Sequence, residues 1–244
     1  MPKPTDPDNR RQRRIAVLVL GGYATAPDFL DRLRDAIVER FQRICPQVRG
    51  EAIFPYGDWN RNKWQQLREI GMDWRRGLFG SNRSCRYSIG GRRAIEAVQR
   101  SYAGEELYMI GHSAGGIAAL QAAQMLESAA AGRVRRIILV GTPKLPIPLP
   151  LYERTLAIYA ADVRGKPVDP VARWGSWGWR LAQAERGWPS WALRRAKPGL
   201  ISAIPLIGGH ADYFRREAPY VHADGLSNLD LTMTAMWNWL TDPV

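Results

Sequence analysis

The chain has 244 residues, of which 45% are apolar, and its formal net charge is +12. This length and apolar fraction fit one globular domain with a substantial core. The longest early apolar run, 15–20, is shorter than the roughly 18 residues of a membrane span and the about 7 of a signal-peptide core. We therefore expect a cytoplasmic protein that is not integral to a membrane.

The positive charge favours contact with anionic surfaces such as nucleic acid, acidic lipid or acidic substrates. The sequence has no zinc-finger, RNP or heptad-zipper pattern, so we expect no specific nucleic-acid binding. Peripheral contact with an anionic membrane surface stays open. Cysteine and histidine do not cluster at metal-ligand spacing, and we expect neither a metal nor a cofactor. Cys45 and Cys85 are expected to remain thiols.

In chain order, residues 1–14 come first, with three prolines and an arginine-rich end. They predict a disordered basic tail, and residues 15–244 predict a single domain. Apolar runs predict six strands, at 15–20, 52–54, 107–110, 137–140, 156–159 and 201–207. Apolar residues at helical spacing predict four helices, at about 26–44, 92–102, 114–131 and 226–240.

One segment resists this interpretation. Residues 58–88 show no clear period, and Gly77 and Gly80 are expected to break any long helix there. Pro205 indicates an edge position for the last strand. The alternation of strands and helices predicts an α/β fold with a mostly parallel sheet flanked by helices. In such sheets the functional residues lie at the carboxyl ends of the strands.

One motif falls at such an end: Gly111-His112-Ser113-Ala114-Gly115 directly follows a predicted strand and directly precedes a predicted helix. This is the setting of a nucleophile elbow, where a tight turn lifts a serine above the sheet edge. The flanking glycines remove side chains that would clash between strand and helix. A helix amino terminus also stabilises negative charge. Ser113 is therefore the candidate nucleophile.

The chain resembles the α/β-hydrolase superfamily, in particular its lipase-like and esterase-like members. The resemblance rests on the elbow with Gly116 and on three shorter motifs. These are Leu-Gly-Gly-Tyr at 20–23, Val-Gly-Thr-Pro at 140–143 and Gly-Gly-His at 208–210. It implies an α/β-hydrolase fold with a small lid-like insertion and a Ser-His-Asp triad that works through an acyl-enzyme.

A serine nucleophile needs a base within hydrogen-bond reach, and the chain has three histidines. His112 adjoins Ser113 and must point away from it. His210 follows the last predicted strand, where the resemblance implies the base. His222 lies farther on and lacks a preceding strand. We favour His210, with His222 as the alternative.

The acid that orients the base should lie between serine and histidine in the chain. Asp162 and Asp169 both follow the predicted strand at 156–159, at positions that the resemblance implies equally well. We favour Asp169 and keep Asp162 as the alternative. The other aspartate is expected to be a turn or capping residue.

An acyl-transfer site also needs donors for the developing oxyanion. The backbone N–H of Ala114 is the first candidate, and that of Tyr23, after the first strand, is the second. Many members of the superfamily have His-Gly in this loop, where this chain has Gly21-Gly22. The loop also lacks the Gly-x-Gly-x-x-Gly spacing of a dinucleotide site.

Residues 172–200 predict a lid or cap segment. Five tryptophans lie there among six basic residues and one acid: Trp174, Trp177, Trp179, Trp188 and Trp191. Tryptophan with arginine suits a lipid interface, a hydrophobic lid over an acyl pocket, or a cap packed by aromatics with a solvated rim. All three interpretations stay open.

Together these features predict a serine esterase that acts on small-molecule or lipid acyl esters. A thioesterase or an acyltransferase would use the same machinery. A non-catalytic binding protein on the same fold is the alternative from another class, since fold does not fix function.

Overall fold

A computed structural model of the protein describes residues 14–79, 84–102, 105–129, 132–162, 164–181 and 193–241. Three features of the predictions lie outside the described residues: most of the tail, at 1–13; Gly80; and the part of the lid segment at 182–192, with Trp188 and Trp191. Within the described part, no helix is long and apolar enough to cross a membrane.

The centre of the fold is a parallel sheet of six strands. They are β1 (Ile15–Leu20), β2 (Val48–Ile53), β3 (Glu106–His112), β4 (Val134–Val140), β5 (Thr155–Ala161) and β8 (Leu200–Pro205). Their spatial order is β2-β1-β3-β4-β5-β8. The prediction of an edge position for the strand with Pro205 is confirmed. A separate pair, β6 (Trp179–Leu181) and β7 (Leu193–Arg195), lies within the segment predicted as a lid.

Helices cover both faces of the sheet. They are α1 (Asp31–Gln42), α2 (Lys63–Phe79), α3 (Ile89–Ser101), α4 (Ala114–Ala129), the short α5 (Pro170–Arg173) and α6 (Asn228–Thr241). Alternate residues of β1 face opposite cores, because side chains alternate along a strand. Ala16, Leu18 and Leu20 pack with α3 and α4, whereas Val17 and Val19 pack with α1 and α6.

The structure differs from the predicted elements at three places. Helix α1 begins at Asp31 rather than near residue 26, because 26–30 form turns closed by the Phe29 N–H to Ala26 oxygen bond of 3.1 Å. Helix α2 continues through Gly77, where the missing side chain lets Leu145 approach. Arg14, assigned to the tail, is fixed: its guanidinium donates to the Glu105 carboxylate at 2.8 Å.

Cys45 and Cys85 are both buried and are not joined by a disulfide. Cys45 lies in the core beneath α1, and Cys85 lies in a short 3-10 helix, 84–87, ahead of α3. Burial is the main cause that raises the pKa of the Cys85 thiol. A raised pKa keeps this thiol protonated and therefore unreactive at neutral pH.

Helix α2 is held to the neighbouring loops and helices by polar groups, since its buried residues are Gln66, Glu69 and Asp73. Glu69 accepts hydrogen bonds from Arg61 at 2.6 and 2.7 Å and from Arg93 at 2.8 Å. The Arg61 hydrogen bonds, supported by Arg93, outweigh desolvation and lower the pKa of Glu69 to about 2. This ion pair ties the start of α2 to α3.

We expect Glu69→Gln to lower the free energy of unfolding at pH 7 by about 2 kcal/mol, since hydrogen bonds to a charged group are lost. The folded pKa lies below the unfolded one, so the stabilisation is present above about pH 4.5 and is lost as the pH falls towards 2. Urea unfolding at pH 7 and pH 3 measures both. Glu39→Gln is the control, because its pair with Arg43 is exposed. An equal loss at both pH values would contradict the prediction.

Candidate active site

The carboxyl ends of the strands converge on one cavity of about 500 Å³. Ser113 and His210 both lie in its wall, with Tyr23 and Ala114. The candidate nucleophile, base and oxyanion loop are therefore brought together at the edge of the sheet. His222 and Asp162 do not line this cavity.

Ser113 occupies a strained turn between β3 and α4. Its φ is +56°, a left-handed conformation that residues with a side chain rarely adopt. The Ser113 N–H donates to the Val140 oxygen at 3.0 Å, which ties the turn to the end of β4. Such strain persists only where the surroundings hold it, and it clusters at functional sites.

Glycines make room for this turn. A Cβ on Gly111 would lie 2.3 Å from the Gly116 Cα, and one on Gly115 would lie 2.1 Å from the Leu20 oxygen. A Cβ on Gly22 would lie 2.7 Å from the Ser113 Cβ and 2.8 Å from the Ala114 nitrogen. The loop after β1 therefore lies directly against the elbow.

The two candidate oxyanion donors lie next to this contact, because Tyr23 follows Gly22 and Ala114 follows Ser113. Ala114 is the first residue of α4, so its N–H has no acceptor within the helix. Neither this N–H nor that of Tyr23 donates to any group in the part of the chain that the structure describes. The two N–H groups remain available to a ligand beside Ser113.

Asp169 and His210 form the second half of the site. The His210 Nδ1 lies 2.9 Å from the Asp169 Oδ2. A carboxylate only accepts, so Nδ1 carries the proton and donates. In the neutral form of the ring, Nε2 is the nitrogen without a proton. It is buried and has no hydrogen-bond partner among the described residues, which is the state required of a general base.

The two oxygens of Asp169 have different partners. Oδ1 caps α5 by accepting from the N–H groups of Val171 and Ala172 at 2.8 and 3.3 Å. Oδ2 accepts from His210 and from the Tyr213 hydroxyl at 2.8 Å. Burial alone would raise the pKa of Asp169, but the His210 contact and these hydrogen bonds outweigh it and lower the pKa. Asp169 therefore stays ionised although its side chain is buried.

Among the described residues, Asp162, the alternative acid, bonds only to its own turn. Its Oδ1 accepts from the N–H groups of Arg164 and Lys166, each at 2.9 Å. The alternative base His222 lies with its Nε2 3.4 Å from the Asn228 Oδ1. The structure brings Asp169 and His210 together, and it brings neither alternative to them.

Three residues that sequence reasoning assigned no role support this pair. Tyr213 is buried; it donates to Asp169, and its hydroxyl accepts from the Ala160 N–H at 2.8 Å. Burial and the nearby Asp169 raise the pKa of Tyr213, so the hydroxyl stays a donor. Asn228, at the start of α6, donates to the Ile207 and Asp212 oxygens at 2.8 and 2.9 Å and so anchors the segment that carries His210.

His112 is the third of these residues. Its ring stacks on that of His210, with centroids 4.8 Å apart and planes at 22°. Its Nε2 donates to the His210 backbone oxygen at 3.0 Å. Burial is the main cause that lowers the pKa of His112 to about 3. His112 is therefore a neutral donor at working pH and supports the backbone of His210.

The described residues contain no group of three His, Cys, Asp or Glu side chains that could hold a metal ion. The cavity wall is mainly apolar. Its apolar residues include Leu67, Ile70 and Trp74 of α2, together with Val171 of α5 and Trp174 directly after α5. An apolar cavity with a few convergent polar groups is the usual form of a small-molecule site.

Comparison with known proteins supports the fold. No protein-family model matches the chain, and no curated protein matches its sequence. The thioesterase domain of NocB, solved in covalent complex with a fluorophosphonate nocardicin G analogue, is 14% identical with a TM-score of 0.53. That match covers 97% of this chain and 98% of the other. The RedJ thioesterase from the prodiginine pathway of Streptomyces coelicolor is 15% identical over 87% of each chain, with a TM-score of 0.47.

The six parallel strands, the helices on both faces and the likeness to the NocB domain together define the class. The chain has the α/β-hydrolase fold. The predicted resemblance to this superfamily is confirmed at the level of the fold, as is the predicted parallel sheet flanked by helices.

We expect Tyr213→Phe to lower the free energy of unfolding by about 1–3 kcal/mol. The change leaves the buried Ala160 N–H unpaired and removes one donor to Asp169. Urea unfolding measures the loss. Tyr87→Phe, at an exposed position, is the control and should change the stability little. A Tyr213 variant as stable as the control would show that these hydrogen bonds contribute nothing.

Proposed function

We propose that the protein is a serine hydrolase that cleaves carboxylic esters through an acyl-enzyme on Ser113. One observation carries the proposal. The His210 ring donates from Nδ1 to Asp169, its Nε2 is buried without a partner among the described residues, and the ring lies in the same cavity wall as Ser113. A serine nucleophile needs a base oriented in this way, with one ring nitrogen held by a carboxylate and the other available to take the hydroxyl proton.

The chemistry follows from these groups. The Ser113 Oγ attacks the acyl carbon while His210 takes its proton at Nε2. The carbonyl oxygen becomes an oxyanion, which the N–H groups of Ala114 and Tyr23 stabilise. When the tetrahedral intermediate collapses, His210 returns the proton to the leaving alkoxide. Water then attacks the acyl-enzyme by the same route and releases the acid, while Asp169 holds the ring and stabilises its charged form.

The cavity favours an apolar acyl group. Leu67, Ile70 and Trp74 face it from α2, and its volume of about 500 Å³ leaves room for more than an acetyl group. Trp174 lines the cavity with 62% of its surface exposed. This exposure, together with the net charge of +12, supports lipid acyl esters as substrates and peripheral contact with an anionic membrane surface. Residues 172–200 would then act as the lid.

A thioesterase is the second candidate. The solved structure with a TM-score of 0.53 is named a thioesterase domain, and thioesters need the same nucleophile, base and oxyanion donors. Turnover of an ester and a thioester with the same acyl group separates the two candidates. A kcat/KM that is clearly higher for the thioester would replace the esterase proposal.

The first test of the proposal is covalent labelling with a fluorophosphonate probe, followed by turnover of nitrophenyl esters of increasing chain length. We expect the intact protein to be labelled and active, and Ser113→Ala to be neither. His210→Ala should lower kcat by about 10⁴-fold or more, because the base and nucleophile act as a unit. His222→Ala, outside the cavity, is the matched control and should keep its activity.

Two outcomes would contradict this proposal. If the intact protein is not labelled and hydrolyses neither esters nor thioesters, the non-catalytic alternative is correct. If His222→Ala loses activity and His210→Ala does not, the base has been misassigned.

The two aspartates give a second, sharper test. Asp169→Asn should lower kcat by up to about 10⁴-fold, because an amide no longer fixes the tautomer of His210. Asp162→Asn should change kcat little, because the amide oxygen can still accept from Arg164 and Lys166. Steady-state kinetics on one nitrophenyl ester measures both. Equal losses in the two variants would reject Asp169 as the orienting acid.

A further inference from the structure

A second strained residue lies in the cavity wall with Ser113. Ala24 has a φ of +46°, and it and Ser113 are the two non-glycine residues with positive φ in the described chain. Both line the same cavity. An alanine adopts this conformation only where its surroundings hold it there. Ala24 directly follows Tyr23, the candidate second oxyanion donor.

The side chain that holds Ala24 comes from α2. The Ala24 N–H donates to the Gln66 Oε1 at 2.9 Å. Two further hydrogen bonds fix the orientation of the Gln66 amide: Nε2 donates to the Asp58 oxygen at 2.6 Å and to the Arg61 oxygen at 3.1 Å. Gln66 is fully buried, so water does not compete for these partners. The amide oxygen therefore points to the loop.

The Tyr23 N–H lies between two fixed points. On one side Gly22 is pressed against the Ser113 Cβ and the Ala114 nitrogen. On the other side the peptide that joins Tyr23 to Ala24 is fixed by Gln66. The next residue is also held, since the Trp59 N–H donates to the Thr25 oxygen at 3.1 Å.

We propose that Gln66 is a positioning residue for the oxyanion site: it holds Ala24 in the left-handed conformation and thereby keeps the Tyr23 N–H beside Ser113. The inference rests on the proposed function, because it assigns Tyr23 as the second donor. It identifies α2 as part of the catalytic machinery as well as a wall of the cavity.

The central experiment compares Gln66→Leu with Gln121→Leu. Gln121 is also buried; it donates to the Asp73 oxygen at 2.8 Å and accepts from the Ser88 hydroxyl at 2.5 Å. It therefore anchors the same helix away from the loop. Both variants should lose thermal stability. Only Gln66→Leu should also lower kcat, by about tenfold or more with KM little changed, since loss of one oxyanion donor costs about 10²–10³.

A rescue separates positioning from structural support. In the Gln66→Leu variant, Ala24→Gly should recover about three- to tenfold in kcat, because glycine pays no steric cost at positive φ. It should not recover the melting temperature. Ala24→Gly in the unmodified chain gives the reference kcat against which this recovery is measured.

Ala24→Val tests whether the conformation of Ala24 affects kcat when Gln66 is unchanged. This variant keeps the inference testable if Gln66→Leu does not fold. A β-branched residue is strongly disfavoured at positive φ, so kcat should fall although Gln66 is intact. An unchanged kcat in folded Gln66→Leu or in Ala24→Val, an equal kcat loss in Gln121→Leu, or the absence of rescue by glycine would overturn the inference.

Failure of the proposed function has a different signature. In that case the unmodified protein and Ser113→Ala behave alike, and the inference falls with the proposed function. If the unmodified protein is labelled and active while the Gln66 and Ala24 variants keep its kcat, only the inference fails.

Discussion

The close approach of backbones around Ser113 is the constraint on which the rest of the site depends. The end of β1, the turn after β3 and the first turn of α4 lie so near one another that a single Cβ on Gly111 or Gly115 would overlap backbone atoms. Backbones can approach this closely only at glycine. Because they do, the loop that carries Tyr23 reaches the nucleophile, and six separate segments of the chain line one cavity.

The sheet and the elbow were predictable because their signals are local. Strands buried on both faces read as continuous apolar runs, as at 15–20. The elbow combines a glycine pattern with a strand before it and a helix after it. The predicted beginning of α1 was wrong by five residues, since Pro27 and Asp28 suit a first helical turn as well as they suit the turns that the chain adopts there.

Helix α2 could not be predicted in the same way. Its most buried residues are Gln66, Glu69 and Asp73, while Trp64 and Phe79 are exposed, so hydrophobic periodicity, the main signal for a helix, is weak there. These residues become favourable inside only when partners distant in sequence, such as Arg93, supply hydrogen bonds. Such partners appear only once the chain is folded, and for this reason the role of Gln66 had no sequence signal.

The choice of Asp169 over Asp162 was partly predictable, unlike helix α2 and less directly than the sheet and the elbow. Both follow β5, so position along the chain does not separate them. The Asp169-Pro170 pair did carry a usable signal, because aspartate before proline is typical of a helix N-cap and first helical residue. That cap turns one carboxylate oxygen to the backbone and leaves the other for His210. Tyr213 gave no comparable sign, since its role depends on the tertiary contact with β5.

The stacking of His112 on His210 has a consequence for how the base is held. The two residues are almost a hundred positions apart, yet the nucleophile's own neighbour supports the backbone of the base. The supporting bond joins a neutral imidazole to a carbonyl oxygen, with no ion pair in it. Salt screens charged contacts and leaves such neutral ones largely unaffected. The distance between the elbow and His210 should therefore not change with ionic strength, although the chain is strongly basic.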